Sequence, residues 1–141
     1  ATDLLADTKL APELSNEAHY YRAKAYLDAG KTDGAMEDLK VLAKDTRNVY
    51  GAEAKYKVAQ IYFDGGQTDK AEQEVLNYIE VSTPHTYWLA RSFVLLADVY
   101  MKSGRNLDAK QYLLSLKQNY QADDDIAGMI ESRLEKLKTE N

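Results

Sequence analysis

The residue types that most often do chemistry are sparse and scattered in this chain. Its two histidines, His19 and His85, stand 66 positions apart (85 − 19). A metal site needs His, Cys, Asp or Glu side chains at spacings that let them converge, and neither histidine has such companions. There is no cysteine, which removes thiolate ligands and disulfides together and leaves the redox compartment open. Acyl transfer through a Ser-His-Asp relay needs a serine on a strand–turn–helix elbow, and no serine here sits in one. Gly65-Gly66-Gln67-Thr68 has a phosphate loop's composition, but neither the G-x-x-x-x-G-K-[ST] frame nor a preceding strand. Asp123-Asp124-Asp125 puts three carboxylates in a row without the D-x-[DN]-x-[DN]-G frame of a calcium loop. Negative charge there suits the start of a helix, where free N–H groups and the macrodipole attract it. The expectation is a non-enzymatic chain with no catalytic residue, no cofactor and no metal, in which the histidines are surface or interface side chains.

Tyrosine is the compositional excess, 11 of 141 residues. Aromatic side chains offer large contact area at low entropy cost and are enriched where proteins meet. The net charge is −5 with acids and bases interleaved, and the densest basic run, Arg133 to Lys138, also carries Glu135. A nucleic-acid partner would need a basic face, so none is expected. No run of 18 apolar residues is present, so no transmembrane helix is expected. The chain opens on Ala rather than Met, which reads as a processed product or an excised piece with any address signal lost.

The elements that position these residues follow from a repeat. Ala23-Lys-Ala-Tyr26-Leu-Asp-Ala-Gly30-Lys-Thr-Asp-Gly-Ala35 returns as Ala59…Tyr62…Gly66…Ala71 and again as Ala97…Tyr100…Gly104…Ala109. The steps are 36 residues (66 − 30) and 38 (104 − 66), a period that marks stacked helical units. Apolar residues at helical spacing predict a first helix in each unit: one from Ser15 or Asn16 to about Asp28, then 51–64 and 87–102. Glycine at 30, 66 and 104 predicts the bend. Thr32 or Asp33, and Thr68, are the expected caps of the partner helices. Within 1–14, Leu4, Leu5 and Leu10 read as the second helix of an earlier unit or as a frayed tail packed on the next helix, and Pro12 ends that element or opens the next turn. Ile126, Met129, Ile130, Leu134 and Leu137 give 123–138 the single apolar stripe of a capping helix. The single domain thus divides into 1–14, three units at 16–48, 51–84 and 87–121, and a cap at 123–138.

The pattern resembles the tetratricopeptide repeat, a helix–turn–helix unit with the signature W-x2-L-G-x2-Y, A-x3-F, P. Ala23, Ala59 and Ala97 fill its Gly slot and Tyr26, Tyr62 and Tyr100 its Tyr slot. Ala35, Ala71 and Ala109 fill the second-helix Ala, and Leu39, Val75 and Leu113 the Phe slot. The first unit departs at the Leu slot, with Arg22. The resemblance implies an all-α fold, a right-handed superhelix of antiparallel helix pairs with small residues at tight crossings. The Thr83-Pro84-His85-Thr86-Tyr87 junction is similar to bacterial cell-envelope tetratricopeptide proteins of the Tol-Pal and outer-membrane assembly type. That implies a periplasmic setting, with the cytoplasm left open.

The resemblance also implies a protein or peptide partner in the groove lined by successive first helices. The family's groove positions fall on Glu17, Tyr20, Lys24 and Leu27, then on Glu53, Tyr56, Gln60 and Phe63, then on Arg91, Val94, Asp98 and Met101. Tyr56→Ala with Phe63→Ala is expected to weaken partner binding with little unfolding. The carboxylate clamp of the chaperone-binding subclass is not expected, because Tyr20, Lys24 and Leu95 replace its key side chains. The competing reading is structural: exposed Leu4, Leu5 and Leu10 would be covered by a second copy, making a homo-oligomer.

Overall fold

Three left-handed glycines set the course of the chain. Gly30, Gly66 and Gly104 have φ of 73°, 81° and 77°, where a side chain would collide with its own backbone. At the first of them Gly30 N–H bonds Leu27 O at 3.1 Å and Lys31 N–H bonds Tyr26 O at 2.7 Å, the paired closure of a Schellman motif. The same pair recurs as Gly66 to Phe63 and Gln67 to Tyr62, and as Gly104 to Met101 and Arg105 to Tyr100. The repeated tyrosine therefore contributes its carbonyl to the bend as well as its ring to the packing.

The computed structural model describes residues 11–81 and 83–139. They form seven helices: α1 (Ala11–Asp28), α2 (Thr32–Leu42), α3 (Val49–Asp64), α4 (Thr68–Glu80), α5 (Thr86–Lys102), α6 (Asn106–Asn119) and α7 (Ile126–Thr139). Among the described residues there is no strand. Helices α1 and α2, α3 and α4, and α5 and α6 pack as pairs. The first helices also touch in series, α1 on α3, α3 on α5 and α5 on α7. The fold is an all-α, tetratricopeptide-like helical repeat.

Alanine holds the crossings. Ala23, Ala35, Ala59, Ala71, Ala97 and Ala109 are all buried, as are Leu39, Val75 and Leu113 on the partner helices. Two apolar cores result among the described residues. Ala54 and Val58 of α3 join the one shared with α1 and α2. Tyr56 and Ala59 of the same helix join the one that runs on through α5, α6 and α7. The α7 stripe works as a cover: Ile126, Ile130 and Leu137 are buried on that second core.

Several helix starts differ from expectation. Helix α1 already includes Pro12, Ser15 and Asn16, so Pro12 stands in its first turn and neither Ser15 nor Asn16 is a cap. Leu4, Leu5 and Leu10 lie outside the described residues. Thr32, Asp33 and Thr68 lie inside their helices, and the residues before them, Lys31 and Gln67, make no side-chain cap. The reason is the Schellman closure. The residue that completes it is also the one that opens the next helix, so the bend itself leaves no separate capping position. Asp33, Asp69 and Asp108 instead sit in the first turns, where the helix dipole favours negative charge. At two of the longer connections caps do form, though not at His85 before α5. Asn48 Oδ1 accepts from Tyr50 N–H at 2.8 Å, and Asp124 Oδ1 from Ile126 N–H at 2.9 Å, the role expected of the aspartate run.

Both histidines serve the scaffold. His85 Nε2 lies 3.0 Å from Arg47 O, tying one inter-unit junction to the previous one. His19 Nδ1 lies 2.7 Å from Oδ1 of Asp38, a carboxylate only 2% exposed. Arg22 grips the same carboxylate from Nε at 2.8 Å and Nη2 at 2.6 Å. The Arg22 hydrogen bonds hold the Asp38 carboxyl below the ordinary aspartate range, outweighing the opposite pull of burial. A pKa lowered by folding stabilises the protein above the unfolded value, near 3.9, and ceases to do so as pH falls. Asp38→Asn is therefore expected to cost about 2 kcal/mol at neutral pH. The gap from wild type should close as pH drops below about 4, which urea melts across pH will show.

Candidate functional site

The face formed by α1, α3, α5 and α7 carries the expected groove residues, at varied depth. Glu17 and Lys24 are exposed. Tyr20 is half-buried against Tyr50, with ring centroids 4.6 Å apart, and donates to both oxygens of Glu53 at 3.2 Å. Burial, then the Glu53 charge, push its phenol up to about 12, so it remains a donor at any working pH. Lys24 and Lys57 lie over its ring at 5.5 and 5.8 Å, and Lys57 also pairs with Glu53. Leu27, Gln60, Phe63, Arg91, Asp98 and Met101 are half-buried.

Two expected groove residues are core. Tyr56 is 6% exposed and Val94 3%. Successive first helices meet through these positions, so their side chains pack between helices rather than facing a ligand. Only the Tyr56 hydroxyl reaches the polar surface. It donates to Gln60 Oε1 at 2.8 Å and accepts from Arg91 Nη2 at 2.9 Å. Gln60 passes the chain on to Asp64 at 2.8 Å. Arg91 Nη1 donates to Tyr87 OH at 3.0 Å, and Tyr87 donates to Asp125 at 2.9 Å. One network thus pins α3, α5 and the turn before α7 in fixed register.

Sequence mapping missed the last wall of the face. Arg133 of α7 clasps Asp98 of α5, Nε to Oδ1 at 3.0 Å and Nη2 to Oδ2 at 3.1 Å. Their separation is 35 residues, as it is for Arg91 and Tyr56. Helix α7 stands where the first helix of a further unit would stand. The repeat steps of 36 and 38 residues carry Asp98 to Leu134 or Lys136 rather than to Arg133, so the period alone does not reveal this pair.

Clefts between the described residues open on this side. One of about 340 Å³ holds Leu27, Tyr56, Lys57, Gln60, Ile61, Asp64 and Arg91. A second of about 550 Å³ shares Leu27, Ile61 and Asp64 with it and extends to Asp33 and Met36. A third of about 530 Å³ lies between α5 and α7 over Phe63 and Met101. Among the described residues no three His, Asp or Glu side chains gather as a metal site, and no helix is long and apolar enough to cross a membrane.

A tetratricopeptide repeat family model matches residues 17–45, the first helix pair, and supports a tetratricopeptide repeat family. Repeats of this kind are non-enzymatic and mediate protein–protein interaction. The match does not single out the cell-envelope type. No curated protein and no solved structure matches the chain.

Proposed function

We propose that this chain is a non-catalytic scaffold that binds a segment of another protein along the face of its first helices. Taken as units 16–48, 51–84 and 87–121 with a cap at 123–138, it offers a modest surface, and an unstructured ligand must lose conformational entropy on it. Micromolar rather than nanomolar affinity follows. The observation that carries this reading is the juxtaposition of half-buried Leu27, Phe63 and Met101 with charges already fixed by internal partners. Apolar side chains supply area for an anchor, and pre-set polar groups add specificity without an ordering cost.

Phe63→Ala tests it. Phe63 is only partly buried, so the truncation should cost about 1–2 kcal/mol of stability. A protein held by the intact chain in affinity capture from its source cells should be lost with the variant. Retention at wild-type level would rule out this face. Light scattering addresses the self-assembly reading, for which the mass would rise with concentration.

A further inference from the structure

The clefts on the docking face differ in charge, and the difference selects a partner. The cleft between α5 and α7 is lined by Lys102, Arg133 and Lys136 against a single carboxylate, Asp98. Arg133 and Asp98 neutralise each other through their two-bond clasp. Lys102 and Lys136 remain, both exposed, and no carboxylate among the described residues forms an ion pair with either. The Lys102 ammonium sits 5.3 Å from the centre of the Phe63 ring, at the edge of an apolar floor completed by Met101. The cleft between the first two bends is the opposite. It is lined by Asp33 and Asp64 with no lysine or arginine. The chain as a whole carries −5, so a basic cleft runs against its general field.

We infer that the α5–α7 cleft takes an acidic, apolar-anchored segment of a partner protein. A large aliphatic or aromatic side chain rests on Phe63 and Met101, and an adjacent aspartate or glutamate reaches Lys102 and Lys136. This inference rests on the docking face proposed above and adds its chemistry and direction. The carboxylates at Asp33 and Asp64 repel the same acidic residue, so the segment lies with its acidic end at α7. Charges placed this way govern specificity and encounter rate more than total affinity, and within a Debye length of about 8 Å they are felt at physiological salt.

The test selects binders from a displayed random-peptide library on the full chain, on Lys102→Glu/Lys136→Glu and on Phe63→Ala. Circular-dichroism melts check that all three are folded. Peptides selected on the wild type should carry aspartate or glutamate next to a large apolar residue. They should lose about tenfold in affinity on the charge-reversed chain and weaken with added salt. The charge-reversed chain should itself select lysine- and arginine-bearing peptides. Wild-type binders without acidic enrichment, or with equal affinity for the charge-reversed chain, overturn the inference. If such binders still depend on Phe63, the docking face survives and only its charge assignment falls. If no peptide depends on Phe63, both fall.

Discussion

Tyr56→Ala is expected to cost about 3–5 kcal/mol, the usual loss for truncating a large buried aromatic ring. The ring is 6% exposed and stands 5.7 Å from that of Trp88, with the Arg91 guanidinium 4.8 Å from its centre. Truncation would open a cavity between α3 and α5 and take from Arg91 both its stacking surface and one of its two hydroxyl acceptors. Tyr56→Phe separates these contributions. It keeps the ring and removes only the hydroxyl, for about 1 kcal/mol. Urea melts on both variants measure the difference. A loss below about 1 kcal/mol for the alanine variant would mean that the ring is not core. The expectation that Tyr56 and Phe63 could be truncated together with little unfolding does not hold. Phe63 alone is the proper probe of the face.

Tyr56 also shows where reading the chain stops short. The spacing Ala-x2-Tyr-x3-Gly in three copies specifies bends, crossings and helix pairing, because each demand is local: positive φ at glycine, no bulk at alanine, about two turns between them. Those features all stand in the structure. Depth is different. Whether a residue at a first-helix position faces a ligand or its neighbouring helix depends on how far one unit is rotated on the next. Rotation is set by all the contacts together, including the Arg91–Tyr56 and Arg133–Asp98 pairs that reach across 35 residues. Hence Val94 and Tyr56 sink into the core, while Lys102 and Lys136, outside the mapped positions, line the cleft. The buried Asp38 with Arg22 and His19 escaped notice for the same reason, since nothing in the local sequence sets that aspartate apart from its exposed neighbours.

Gly51→Ala should cost about 3 kcal/mol, at the upper end for overpacking, although alanine is the better helix former by about 1 kcal/mol. Gly51 lies in the first turn of α3 and is buried. A Cβ there would sit 1.9 Å from Asp45 O and 2.6 Å from Leu42 O. Both obstacles are backbone, and neither can step aside cheaply. Asp45 N–H bonds Leu42 O at 3.2 Å, and Asn48 N–H bonds Asp45 O at 3.3 Å. The Asp45 side chain accepts from Arg47 N–H at 3.1 Å. The loop between α2 and α3 is thus tied to itself in the shape that presses on Gly51. Moving it would break those bonds or shift α3 off the core it shares with α1 and α2. Gly128→Ala is the control, because α7 places nothing within 4 Å of a Cβ at that position; it should leave stability unchanged or raise it by about 0.5 kcal/mol. The requirement at Gly51 is one of close approach and not of φ, and it belongs to this junction alone. Its counterparts by the repeat steps are Ser15 (51 − 36) and Leu89 (51 + 38), both with side chains. Equal melting of Gly51→Ala and Gly128→Ala would mean that the α2–α3 loop yields, and that the junction between the first two units is looser than its hydrogen bonds imply.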